Sequence, residues 1–222
     1  VIDPAVVAAN VARVRERIRA AGGRDVSLMA VTKGVAPDSI AAVRLAGVTI
    51  LGESYAQELL DRRSAFEGAQ LHFIGRLQSN KVRLVAPLVD CWESVDRPAV
   101  ATEISRRSPG AAVMVQVNVT GEPTKGGCSP SETAAMVTHC QEAGLSVTGL
   151  MAVGSSAGPE AARPGFARLR ALVDQLRLSE CSMGMSDDLE IAVQEGATMV
   201  RIGSGLFGPR PVPRPGPTVG PK

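Results

Sequence analysis

The run AVMVQVNV (112–119), the loop TGEPTKGGCSP (120–130), the segment SETAAMVTHCQEA (131–143) and the run LSVTGLMAV (145–153) read in turn as strand, loop, helix and strand. Both runs are apolar on both faces. A strand covered on both faces and joined to the next by a helix belongs to a parallel sheet under helices. The same unit repeats outward in both directions. Toward the N-terminus, residues 4–21 form a helix stopped by Gly22–Gly23, followed by a strand in SLMAVTKG (27–34). A helix from Pro37–Asp38 to Gly47 leads to TILGES (49–54), and a helix through Ser64 leads to LHFIG (71–75). A short helix from Asn80 to Val85 precedes CWESVD (91–96), and the helix after Pro98 ends near Ser108–Pro109–Gly110. Toward the C-terminus, a helix over 160–178 leads to the weaker strand ECSMGM (180–185). Asp187 and Asp188 open the next helix, and MVRIGSGLFG (199–208) is the last strand.

Eight such strands in a chain of 222 residues favour closure into a single (β/α)8 TIM barrel, with an open doubly wound sheet as the alternative. No GxGxxG follows the first strand, which removes the dinucleotide-binding version of the open sheet. The N-terminal helix is expected to cover the place of the missing last helix. Residues 1–210 make the barrel, and PVPRPGPTVGPK (211–222), with five prolines, is expected to be a disordered tail.

Composition excludes several classes. Hydrophobic residues make up 45% and charged residues 21%, ordinary for a chain with a sizeable core. A net charge of +2 gives no pull toward nucleic acid or an anionic membrane. No apolar run approaches a membrane span, and the start VIDPAVVAANVARVRERIRA is not a signal peptide. Residue 1 is Val, so a short preceding piece is expected. Cys91, Cys128, Cys140 and Cys181 stand far apart, as reduced thiols of a cytoplasmic protein do. His72 and His139 are too few for a multi-histidine metal centre, and no metal is expected.

Arginine outnumbers lysine twenty to four. Arginine can replace lysine as a surface charge but not as a titratable, nucleophilic amine. The internal lysines Lys33, Lys81 and Lys125 therefore stand out. Lys33 ends the first strand, where a barrel places its chemistry, and reads as an imine-forming amine. Ser186 is placed at a helix N-cap beside free N–H groups. Gly203, Ser204 and Gly205 end the last strand, where glycines let backbone N–H groups approach an anion. With Arg201, a lysine, a phosphate cradle and an arginine surround one barrel mouth. That set suggests pyridoxal 5′-phosphate (PLP) held as an imine.

The segments AVTKG (30–34), GESYAQE (52–58), LHFIGRLQSNK (71–81), VNVTGEPTKGG (117–127), GLMAV (149–153) and CSMGMSDDLEIAVQEGATMVRIGSGLFG (181–208) occur in that order. From about residue 4 to 210 the chain resembles the pyridoxal phosphate homeostasis protein family, related to the barrel domain of alanine racemase. The resemblance implies a fold type III barrel in which Lys33 carries the imine. Ser186, with the backbone of Gly203 and Ser204, then matches the phosphate-binding group, and Arg201 the arginine facing the pyridine nitrogen. An arginine there stays protonated and disfavours a ring proton, so the ring is a poorer electron sink. Arg201→Glu is accordingly expected to change the spectrum of bound PLP without unfolding the barrel. The chain departs from the family pattern at Val35, where a second lysine is common, and at Ser54, where many members have Asn. Lys125 matches a region associated with cofactor exchange, while Lys81 reads as structural.

The resemblance implies a non-enzymatic carrier that binds PLP in the cytoplasm and supplies apo-enzymes, with neither nucleic acid nor membrane as partner. A monomer is expected, since the barrel shows no exposed apolar stripe. The alternative is a PLP-dependent amino-acid racemase, which needs a second acid/base on the opposite face of the substrate. Tyr55 is the single tyrosine available. A third reading, a cofactor-free lysine aldolase, would use Lys33 and the same anion cradle.

Overall fold

The computed structural model describes residues 2–209, so the expected tail at 211–222 lies outside the described residues. Eight parallel strands are β1 (Ser27–Val31), β2 (Ile50–Glu53), β3 (Gln70–Phe73), β4 (Cys91–Val95), β5 (Ala112–Gln116), β6 (Ser146–Met151), β7 (Glu180–Ser182) and β8 (Met199–Ile202). Each pairs with the next, and β8 pairs back to β1 from Ser27↔Met199 to Ala30↔Ile202. This last pairing closes the barrel and removes the open-sheet alternative. It also sets the chain after Val31 beside the chain after Ile202, which brings the loops following the first and last strands to one place.

The helices are α1 (Pro4–Ala20), α2 (Pro37–Leu45), α3 (Ala56–Asp61), α4 (Ser79–Val85), α5 (Pro98–Arg107), α6 (Thr133–Glu142), α7 (Pro159–Gln175), α8 (Leu189–Gln194) and α9 (Ser204–Phe207). Proline opens α1, α2, α5 and α7, where its missing N–H has no intrahelical partner to lose. The Asp3 carboxylate accepts from Ala5 N–H at 2.8 Å and caps α1. Val7, Val11, Val14 and Ile18 form a buried stripe on α1, which packs against α2, α8 and α9. That helix lies where, among the described residues, the four-residue α9 alone follows β8.

The main core lies between the outer face of the strands and the helices, with Leu28, Leu51, Phe73, Trp92 and Phe166 in it. Cys91, Met114 and Met151 form a separate small cluster. The expectation of strands apolar on both faces fails at several buried positions, four of which form one network. His72, Glu93, Ser182 and Arg201, on β3, β4, β7 and β8, are all at most 4% exposed. They hydrogen-bond one another across the barrel interior, which is why burial is tolerated there. The expected strand 199–208 also stops at Ile202, and Ser204–Phe207 turn into α9.

The end of β3 explains one motif. A Cβ on Gly75 would lie 1.9 Å from the Ser54 carbonyl oxygen, and Gly75 O accepts from Ser94 Oγ. The backbone of the β2 end therefore occupies the space that any side chain at 75 requires. We expect Gly75→Ala to cost roughly 2–3 kcal/mol, the scale of a forced backbone shift in a packed interior, read by urea denaturation. An unchanged midpoint would show that the two strand ends can separate freely.

Candidate cofactor site

Lys33 lies two residues past β1 in a turn whose backbone is held on both sides. Thr32 N–H donates to Gly52 O at 2.9 Å, and Gly34 turns the chain at φ +71°. Glu53 Oε1 accepts from the N–H groups of Ser54 and Tyr55 at 2.6 and 2.9 Å. Its Oε2 accepts from Thr32 Oγ1 and Arg62 Nη2, both at 2.9 Å. Arg62 Nη1 donates to Thr32 O at 3.2 Å and also to Val35 O. Glu58 Oε2 accepts from Gly34 N–H at 2.7 Å and from Arg62 Nη2 at 2.5 Å. Burial pushes the Glu53 carboxyl up, and the N–H groups of Tyr55 and Ser54, the Thr32 hydroxyl and Arg62 pull it back. The segment on which Lys33 stands is thus a fixed platform. Sequence reading missed Glu53, Glu58 and Arg62; the signal available was an acid inside the apolar run TILGES.

Ser186 accepts from Gly205 N–H and from Ser204 Oγ, both at 3.0 Å. A Cβ on Gly205 would come within 2.9 Å of Ile202 Cγ2 and 3.3 Å of Ser186 Oγ, so glycine permits this approach. A Cβ on Gly203 meets nothing closer than Val31 Cβ at 3.6 Å. Packing within the protein does not demand glycine at 203, which lines the cavity. Ser186 is not the helix cap expected from sequence. Asp188 holds that position, before Leu189, and its Oδ1 accepts from Met185 N–H at 2.6 Å. This contact closes a turn over 185–188, so Asp187 and Asp188 precede the helix rather than open it. From α1, Arg17 Nη2 donates to Ser186 O at 2.9 Å while gripping Glu190 at 2.6 and 2.9 Å. That pairing holds the Glu190 carboxyl below the usual range and ties the N-terminal helix to the cradle.

Arg201 is 4% exposed. Its Nη1 donates to Ser182 Oγ at 2.8 Å and its Nη2 to Ala152 O at 2.6 Å. Burial pulls the guanidinium down from its usual range, while Glu93 and Asp188 push it back up.

All five residues expected at the site, Lys33, Ser186, Arg201, Gly203 and Ser204, line one cavity of about 240 Å³. Ile74, Gln116 and Met151 add to its wall, and Ser54 stands at its edge. Three other residues singled out in the sequence do not reach it. Lys125 bonds Glu122 Oε1 at 2.7 Å and also Gly154 O. Tyr55, 57% exposed, and Lys81 line a neighbouring cavity of about 360 Å³ that shares Ser54. Among the described residues no group of three or more His, Cys, Asp or Glu could hold a metal ion. No described helix is long and apolar enough to cross a membrane.

The family model of the alanine racemase N-terminal domain matches residues 2–211. The pyridoxal phosphate homeostasis protein of Pseudomonas aeruginosa is 41% identical over 220 residues, covering 92% of this chain and 96% of its own. That of Escherichia coli K12 is 36% identical over 228 residues, covering 92% and 97%. Among solved structures, PipY of Synechococcus elongatus with PLP bound superposes with a TM-score of 0.77 at 29% identity, over 91% of this chain and 100% of that one. A family match over nearly the whole chain, with these identities sustained along it, places the protein: it belongs to the alanine racemase N-terminal domain family, among the pyridoxal phosphate homeostasis proteins.

Proposed function

We propose that this chain binds PLP at the barrel mouth, holds it on Lys33, and serves PLP homeostasis by yielding it to apo-enzymes. The observation that carries the reading is the meeting of an amine, a hydroxyl with glycine-flanked N–H groups, and a buried guanidinium on one cavity wall. That donor set fits the group: an aldehyde, a phosphate and a ring nitrogen each find a matching partner. When bound, PLP supplies an aldehyde that condenses reversibly with a lysine amine. Lys33 presents that amine from the braced turn. Ser186 and the backbone of Gly203 and Ser204 receive the phosphate, with the N–H of Gly205 beside them. Arg201 faces the ring nitrogen and, being cationic, keeps a proton off it.

A carrier fits this cavity better than a racemase. Racemisation needs an acid and a base on opposite faces. Besides Lys33 and Arg201, the only titratable residue of the cavity wall among the described residues is Asp187, which is exposed to solvent. Tyr55 stands outside it. All four cysteines are unpaired, three of them buried, which suits a reducing cytoplasm.

The test is absorption of the PLP-loaded protein before and after borohydride, with peptide mapping, alongside incubation with L-alanine in deuterated water. The expected result is a visible band, label on Lys33 and no deuterium in the alanine. A protein that PLP cannot load would overturn the binding reading, and label elsewhere would remove Lys33. Rapid deuterium incorporation would make the protein a racemase.

A further inference from the structure

Beneath Arg201 lies a hydrogen-bonded chain that crosses the barrel and that no sequence motif announces. Glu93, on β4, is completely buried and uses both carboxylate oxygens. Its Oε1 lies 2.5 Å from His72 Nδ1 on β3, and its Oε2 accepts from Ser182 Oγ on β7 at 2.6 Å. Ser182 in turn accepts from Arg201 Nη1 on β8 at 2.8 Å. We propose that Glu93 is a positioning residue of the cofactor site: through Ser182 it fixes the Arg201 guanidinium toward the ring nitrogen and supplies its counter-charge. The proposal rests on the PLP reading above and names how that reading's ring contact is controlled.

Three features of the geometry support it. A buried guanidinium is stable only with its charge balanced and its donors used. Glu93 provides the larger part of the balancing charge from across the interior, and the buried Asp188 adds to it. Second, Arg201 has five N–H donors, and its two inward contacts fix both ends of the guanidinium plane while leaving donors for the cavity. The intervening hydroxyl matters: a direct pair would draw the guanidinium across to β4, whereas Ser182 passes the charge over and leaves Arg201 against β7 and β6. Third, His72 Nε2 is buried without a hydrogen-bond partner. Its Nδ1 is then the ring nitrogen that holds the Glu93 carboxylate, which keeps Oε2 aimed at Ser182.

The experiment compares wild type, Glu93→Gln and Ser182→Ala as full-length protein. Each is followed by the affinity for PLP, the absorption of the loaded form against pH, and thermal unfolding without PLP. Glu93→Gln keeps the shape and removes the charge, while Ser182→Ala keeps the charge and breaks the bridge. Both are expected to weaken PLP binding roughly tenfold, the scale of one charge-assisted contact. Both should also make the visible band pH-dependent near neutrality, because a displaced Arg201 no longer keeps a proton off the ring. The double variant should shift no further than either single one, since the two act in series. If the variants lose thermal stability while affinity and spectrum stay as in wild type, Glu93 is structural and the proposal is wrong. If Glu93→Gln does not fold, Ser182→Ala decides alone, by the same affinity and spectrum. If wild type itself fails to take up PLP, the underlying reading falls, a result distinct from unchanged variants of a loading wild type.

Discussion

Lys33→Ala is expected to abolish the covalent link to PLP and to weaken binding by roughly 100-fold, about 2.8 kcal/mol, while leaving phosphate-anchored binding measurable. The two contacts are physically separate. Lys33 stands on the turn after β1, held by Thr32, Gly34 and Val35 through Glu53, Glu58 and Arg62. The cradle of Ser186, Ser204 and Gly205 is held from the other side by Arg17 of α1. The turn is held through the backbone of Gly34 and Val35 and the side chain of Thr32, and the cradle through Ser186. The barrel should therefore keep its thermal midpoint, since a half-buried lysine at a strand end is replaced without opening the core. Equilibrium dialysis with PLP and borohydride labelling separate the two effects. Complete loss of binding would mean that the cradle does not hold phosphate by itself. Full retention of the borohydride label would assign the link to another lysine, with Lys81 and Lys125 as the internal candidates.

The parts of this site that could be read from sequence are those with a local signature. Lys33 stands out because arginine has taken most other basic positions, and Gly205 marks a close backbone approach. The eight strands were legible because parallel strands covered on both faces carry continuous apolar runs. Their C-terminal limits were not, since an apolar run does not show where hydrogen bonding to the neighbour stops. GSGLFG continues the apolar character of β8, yet only the barrel's closure shows that pairing ends at Ile202. The network under Arg201 has no local signature at all. Glu93 and Ser182 are 89 residues apart, and each alone reads as an ordinary polar residue in a strand. Their pairing follows from β4 and β7 facing each other across the interior, which is a property of closure. The Ser186 hydroxyl reads from sequence as the cap of the next helix for a related reason, whereas Gly205 N–H from across the β7–β8 seam donates to it.

Arg201→Glu gives the second large effect, and here the buried network reverses what sequence suggests. From sequence, Arg201 is a strand-end charge at the mouth, and its reversal should leave the barrel intact. In the structure the residue is 4% exposed and balances Glu93 through Ser182. Reversal removes the balancing cation and sets a second carboxyl in the same interior. Removing one partner of a buried pair costs about 3–5 kcal/mol, against a total of about 5–15 kcal/mol for a typical domain. We expect loss of at least that amount near neutral pH, with Arg201→Glu partly unfolded before any spectrum can be read. The pH dependence has a definite sign. Burial raises the folded-state pKa of the introduced carboxyl above the roughly 4.3 of an unfolded glutamate, so the folded state binds the extra proton. The penalty is therefore smallest in acid and grows as pH rises through the raised value. Urea denaturation in weakly acidic and weakly alkaline buffer should show the variant recovering stability toward the acid side. Arg201→Gln combined with Glu93→Gln should be more stable than Arg201→Glu at neutral pH, because both buried charges are then gone and the amides can still hydrogen-bond. Equal stability of Arg201→Glu and wild type at neutral pH would mean that water reaches the barrel interior and screens the pair.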